Sequence, residues 1–313
     1  MFPGQGSQQI GMGKALADEF AASKTVFEEV DDALDQKLST LMWEGDADEL
    51  QLTSNAQPAL MAVSMAAIRA LESEGVAIER DVAFVAGHSL GEYSALAAVG
   101  SFGVGQAAKL LRVRGNAMQS AVPVGEGAMA AIIGLDEDRV EALCVEASML
   151  GVSCQIANDN GGGQLVISGA SGAVERAMEA AKEAGAKRAL PLPVSAPFHS
   201  ELMSPAAERM QDALSDSPPR TPTVPLVANV TAEPTTDADD IQRLLVEQVT
   251  GRVRWRESVE WLATNRVDTA VEIGAGKVLS GLARRIARDM STMTCGTPDE
   301  VRAVAKYIQG ETA

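Results

Sequence analysis

The pentapeptide Gly87-His88-Ser89-Leu90-Gly91 has the G-x-S-x-G spacing of a nucleophile elbow. Flanking glycines let neighbouring backbone crowd such a turn. A helix that follows it aims backbone N–H groups at a reacting carbonyl. A serine hydroxyl is a poor nucleophile at neutral pH and needs a base. The chain has two histidines, His88 and His199. His88 adjoins Ser89, and successive residues of a sharp turn point apart. His199, in the proline-bearing loop after Val194, is therefore the expected base. Spacing selects no third member of a triad. An Asp or Glu between the serine and the histidine would follow the α/β-hydrolase order, and a backbone carbonyl would hold the imidazole tautomer equally well.

Two further features bear on chemistry. Arg114 lies four residues from both Leu110 and Met118, on an apolar stripe, and a buried guanidinium needs a partner. That partner is either a structural carboxylate or the carboxylate of a substrate, which a guanidinium clamps well. The loop Phe2-Pro3-Gly4-Gln5-Gly6-Ser7-Gln8 is punctuated by glycine and lacks the GK[ST] ending of a P-loop. It is either a flexible terminus or a donor of a backbone N–H to an oxyanion.

These residues need elements to position them. The apolar run Val82 to Gly87 reads as a strand, and Glu92 to Ala98 as the helix after the elbow. A nearly all-apolar run, Ala59 to Ile68, reads as a buried helix with Pro58 at its start. Another helix is expected over 105–121. From about 126 the order is strand 128–133, helix 136–149, strand 152–157, strand 164–168, helix 173–184 and a strand from Arg188. That β-α-β-β-α-β order is the split arrangement of a ferredoxin-like unit. Alternating elements return afterwards: helices near 202–215, 239–248, 255–264 and 278–289, and strands 224–229 and 269–273. The expected architecture is α/β, with an α/β-hydrolase-like large domain (1–125 and 196–313) and an inserted ferredoxin-like small domain (126–195).

Composition narrows the function. The 313 residues carry a formal charge of -17, which repels phosphate backbones and anionic lipid, so neither nucleic acid nor a membrane is an expected partner. The cations are not evenly spread: Arg252, Arg254, Arg256, Arg266, Lys277, Arg284, Arg285 and Arg288 fall in one stretch, with Lys187 and Arg188 as a second small group. They are either solvated helix faces or a local positive rim. Three cysteines without a CxxC pair suggest reduced thiols, not a disulfide framework or a zinc site. No basic-then-apolar start and no long apolar run appear, so a cytoplasmic protein is expected.

Several separated motifs then coincide. The loop Phe2 to Gln8, Gln57-Pro58-Ala59-Leu60, Gly87 to Leu96, Arg114-Gly115 with Met118-Gln119, Gly127 to Gly134, Lys187 to Ser195 and Gly276-Lys277-Val278-Leu279 together resemble malonyl-CoA:acyl carrier protein transacylases, from residue 2 to about 288. The resemblance implies Ser89 as acyl-accepting nucleophile and His199 as its base, with Gln248 similar in position to the residue whose backbone carbonyl holds the imidazole. It implies Gln5 and Leu90 as oxyanion donors and Arg114 as partner of the malonyl carboxylate, and places Gln57, Asn158 and Asn160 near the substrate cleft. Phe198, just before the histidine, is the bulky residue that goes with malonyl rather than methylmalonyl in related domains. The implied partners are malonyl-CoA and acyl carrier protein, with no metal or redox cofactor and a monomer as the default state. One departure stands out: family members carry an apolar strand ahead of the first loop, whereas Met1 directly precedes Phe2 here, so the placement of Gln5 is in question. A serine thioesterase or esterase, a polyketide-type acyltransferase with another extender unit, and a non-catalytic carrier-binding scaffold are the rival readings.

Overall fold

Ala, Leu, Met and Glu at helical spacing make the first part of the chain a helical layer. Helices α1 (Lys14–Glu19), α2 (Ala21–Leu34), α3 (Leu38–Glu44), α4 (Ala47–Gln51), α5 (Thr53–Ser73) and α6 (Ile78–Asp81) lead to strand β1 (Val85–Ala86), then α7 (Gly91–Ala98) and α8 (Val104–Ser120). The structure is a computed structural model and describes residues 1–148, 152–194 and 196–310. Helix α5 is buried on every face from Asn55 to Ile68 and packs against α2 and α8. It starts earlier than its sequence suggests. Pro58 lies inside it, not at its start. The ring there costs one backbone hydrogen bond near the N-terminus, where the tight packing of α5 outweighs it.

The next elements are β2 (Gly127–Ile133), α9 (Glu137–Ser148), β3 (Cys154–Asp159), β4 (Gln164–Ala170), α10 (Ser171–Glu183) and β5 (Arg188–Pro191). They form one antiparallel sheet in the order β3-β4-β2-β5. Its apolar residues, among them Ile132, Val140, Leu143, Ile167 and Val174, form a cluster of their own beneath α9 and α10. Met149, expected as the end of a helix, and Ser195, expected as a domain boundary, lie outside the described residues.

The chain then returns through α11 (Ser204–Asp216), β6 (Leu226–Val227), β7 (Pro234–Thr235), α12 (Ala238–Thr250), α13 (Trp255–Thr264), β8 (Thr269–Ile273), α14 (Val278–Ile286), β9 (Ser291–Cys295) and α15 (Pro298–Ile308). The last two were not legible beforehand. Strand β9 is half polar, and α15 is announced only by its Thr297/Glu300 capping box. Strands β1 and β6 pair in parallel, as do β8 and β9.

Met1 and Phe2 join these two pairs. The Phe2 N–H donates to the Ala86 carbonyl at 2.9 Å, and the His88 N–H donates to the Phe2 carbonyl at 3.0 Å. On the other side Met1 N donates to the Val271 carbonyl at 2.7 Å, and the Ile273 N–H donates to the Met1 carbonyl at 2.8 Å. Two residues thus run between β1 and β8 in strand-like fashion and anchor the loop that carries Gln5 beside the elbow.

Candidate active site

The elbow forms because only glycine fits on either side of the serine. A Cβ on Gly87 would lie 2.0 Å from the Gly91 carbonyl, and one on Gly91 would lie 2.2 Å from the Phe2 oxygen. Ser89 between them has φ 54°, a left-handed conformation that costs energy in a non-glycine residue. Asn229, just past β6, secures it. Its Oδ1 accepts from the Ser89 N–H at 2.8 Å, and its Nδ2 donates to the Gly87 carbonyl at 2.6 Å. Nothing in its spacing singled Asn229 out; its role comes from β6 lying beside β1.

His199 also sits at positive φ, 56°, and is buried. Its Nε2 is 2.8 Å from Ser89 Oγ. Its Nδ1 lies 2.8 Å from the Gln248 carbonyl and 3.1 Å from that of Gly251. A carbonyl only accepts, so Nδ1 carries the proton and Nε2 presents its lone pair to the serine. Burial, reinforced by the nearby Arg114 charge, lowers the imidazole to about 3. His88 points elsewhere: its Nε2 is 2.9 Å from Asn160 Oδ1, and its ring lies against Trp255.

Arg114 is 1% exposed. It donates from Nη1 to Gln57 Oε1 at 2.8 Å, and from Nη2 to Gln248 Oε1 at 2.8 Å and Ser89 Oγ at 3.2 Å. Among the described residues no carboxylate forms an ion pair with it. Its guanidinium therefore sits against the nucleophile with amide partners only. The nearest buried acid is Glu92, which the sequence reading passed over as part of the elbow helix. Glu92 Oε1 accepts from the Asn229 N–H at 3.1 Å, and Oε2 accepts from Gln248 Nε2. Burial is the main influence on this carboxyl and pushes it up to about 7.

A cleft of about 400 Å³ opens over these groups. Gln5, Leu90, Arg114, Met118, Met129, Asn158, Val194 and Phe198 are among its lining residues. Among the described residues neither the Gln5 nor the Leu90 backbone N–H has a partner. Asn160 does not reach the cleft wall; it stands behind it, on His88. The arrangement supplies a nucleophile, a neutral base and a buried cation within one small space. That suits an acyl group whose far end is a carboxylate.

The basic stretch divides in two. Arg252 pairs with Glu137 and Glu141, Arg254 with Glu257, and Arg256 with Glu137, Asp159 and Glu260. Arg284 and Arg285, at the end of α14, make no ion pair among the described residues. The Arg285 side chain and Ile286 lie against the turn Gly161 to Gly163, just past Asn160.

The model of one family, described as acyl transferase domain, matches residues 1–301. A malonyl CoA-acyl carrier protein transacylase of Bacillus subtilis is 46% identical, covering 99% of this chain and 97% of that relative. The crystal structure of an acyl-carrier-protein S-malonyltransferase from Bartonella henselae is 60% identical, with a TM-score of 0.96 over 98% of both chains. A malonyl-transacylase in complex with its type II polyketide acyl carrier protein is 41% identical, with a TM-score of 0.94 over 98% of both chains.

Proposed function

The chain belongs to the acyl transferase domain family, and from that premise we propose that it moves a malonyl group from malonyl-CoA to the phosphopantetheine thiol of an acyl carrier protein, by way of a malonyl-serine ester. The observation that carries this reading is the buried Arg114 guanidinium 3.2 Å from Ser89 Oγ. A plain esterase or thioesterase has no use for a buried cation at the acyl end.

In the first half-reaction the malonyl carboxylate lies on Arg114 and the thioester carbonyl on the backbone N–H groups of Gln5 and Leu90. Ser89 Oγ attacks the carbonyl carbon and its proton passes to His199 Nε2. The oxyanion is held by the two N–H groups until the C–S bond breaks, and the CoA sulfur takes the proton from His199. In the second half the carrier's thiol gives its proton to His199 and attacks the ester carbon. The C–O bond breaks and Ser89 recovers its proton. The Gln248 carbonyl holds the imidazole throughout. Serine, imidazole and peptide groups supply all of this chemistry, so the reaction calls on no metal or redox cofactor.

Gln57, Asn158 and Phe198 shape the pocket around the acyl group, and Asn160 supports it through His88. The strand order β3-β4-β2-β5 supports reading 126–195 as a ferredoxin-like unit inserted into an α/β-hydrolase-like body, 1–125 and 196–313, with the cleft between them. No described helix is long and apolar enough to cross a membrane.

The direct test is intact-mass analysis after mixing the protein with malonyl-CoA. A malonyl adduct forms on the wild-type chain, transfers to added holo carrier protein, and is missing in Ser89→Ala. Transfer at the normal rate by Ser89→Ala would sink the proposal.

A further inference from the structure

Beside the nucleophile, the groups already assigned leave one buried carboxyl without a task. Glu92 is 1% exposed, sits in the first turn of the elbow helix, and touches neither the cleft nor Ser89 Oγ. Both of its oxygens accept: Oε1 from the Asn229 N–H at 3.1 Å and Oε2 from Gln248 Nε2. An ionised carboxylate is acceptor-only, so above its raised pKa of about 7 this one matches two donors.

The amide of Gln248 has two ends with different needs. Its Nε2 faces acceptors only: Glu92 Oε2 and the Ser89 carbonyl at 3.0 Å. Its Oε1 accepts from Arg114 Nη2 at 2.8 Å. Inverted, the amide would press an NH2 group against the guanidinium, donor against donor. Glu92 and the Ser89 carbonyl on Nε2 and Arg114 on Oε1 together set the orientation of Gln248, Glu92 being the one side chain among the acceptors that carries a charge, and the seat of Arg114 follows from Gln248.

We propose that Glu92 is a positioning residue for acyl selectivity: through the Gln248 amide it fixes the Arg114 guanidinium where a substrate carboxylate must meet it. This rests on the malonyl-transfer reading of the site. The base is held separately. His199 uses the backbone carbonyl of Gln248, which stays in place whichever way the amide points. Glu92 thus acts on the choice of acyl group and not on the attack itself.

Glu92→Gln tests this sharply. The Asn229 N–H belongs to fixed backbone and claims the new amide's oxygen. The new NH2 then meets Gln248 Nε2, donor against donor, and the Gln248 side chain must either shift off Arg114 or invert against the Ser89 carbonyl; either way its hydrogen bond with Arg114 Nη2 is disturbed. The measurement, made at pH 8 where Glu92 is ionised, is the rate of Ser89 acylation by malonyl-CoA against acetyl-CoA, each scaled to the active sites titrated with a fluorophosphonate probe. The malonyl-to-acetyl ratio should fall about tenfold, the worth of one hydrogen bond to a charged group. The fall should come through KM for malonyl-CoA, with acetyl transfer per active site little changed. In Arg114→Ala the same Glu92→Gln change should leave the ratio where Arg114→Ala alone puts it, because the two act in series.

A merely structural role lowers the titrated sites and leaves the ratio alone; that result overturns the inference. If Glu92→Gln yields no folded protein, Gln248→Ala removes the amide and keeps the backbone carbonyl, and an unchanged ratio there overturns it equally. Failure of the wild-type chain to take up malonyl at Ser89 refutes the underlying transfer reading instead, so the two failures are separable.

Discussion

His199 Nδ1 lies 2.8 Å from the backbone carbonyl oxygen of Gln248, so a peptide group, not a carboxylate, orients the base. The Gly251 carbonyl shares the same proton at 3.1 Å. A neutral acceptor stabilises an imidazolium less than an aspartate does. Burial and Arg114 then act unopposed by any buried acid on the ring, and the imidazole is lowered to about 3.

A lowered pKa keeps the base in its working form. Neutral His199 should persist as pH falls from 8 to 5 and be lost only on approach to its own pKa. The rate of Ser89 labelling by a fluorophosphonate, which carries no carboxylate, should show no acid limb at the ordinary histidine value across that range. A limb centred near 6.5 would mean that burial does not depress the ring.

Arg114→Ala should remove two charge-assisted hydrogen bonds to the malonyl carboxylate. Malonyl transfer should fall about 10²-fold, from about 3 kcal/mol of lost interaction. Acceptance of acetyl-CoA should rise relative to malonyl-CoA, and water should cleave the acyl-serine more readily. Parallel steady-state assays with both thioesters, with and without carrier protein, measure all three. Unchanged selectivity would count against the clamp.

Phe198 is 8% exposed and lines the cleft directly before the base. The resemblance to malonyl-specific relatives implies that its ring would crowd an α-methyl group. Phe198→Ala should narrow the preference for malonyl over methylmalonyl by about tenfold or more, since a methyl-sized fit is worth about 1–3 kcal/mol. Competition between the two thioesters for a limiting carrier protein reads this out.

Arg284 and Arg285, like Arg266, Lys277 and Arg288 of the basic stretch, make no ion pair among the described residues, and the two sit together at the end of α14. Reversing both to Glu should raise the KM for an acidic carrier protein and weaken its salt dependence, with Ser89 acylation by malonyl-CoA unchanged. Reversing Arg256 instead breaks contacts with Asp159, Glu137 and Glu260. Its effect should appear in thermal stability, about 1–3 kcal/mol, rather than in carrier affinity alone. Stopped-flow acylation and melting curves separate the two outcomes.

Local pattern was enough for much of this protein. The G-x-S-x-G spacing marked Ser89 because the elbow's sterics are written in adjacent residues: Gly87 and Gly91 are required by contacts at 2.0 and 2.2 Å. Scarcity marked His199, since the chain has one other histidine. Hydrophobic periodicity located the β-α-β-β-α-β segment, whose elements are consecutive. What sequence left open was set by contacts between distant segments. Asn229 reaches Ser89 only because β6 pairs with β1, 140 positions away in the chain. Whether Arg114 had an ionic or an amide partner, and that Glu92 answers to Gln248, depended on α7, α8 and α12 converging on one point. The direction of a buried side chain is settled by whichever donors and acceptors the fold brings to it, and spacing along one chain carries no record of those meetings.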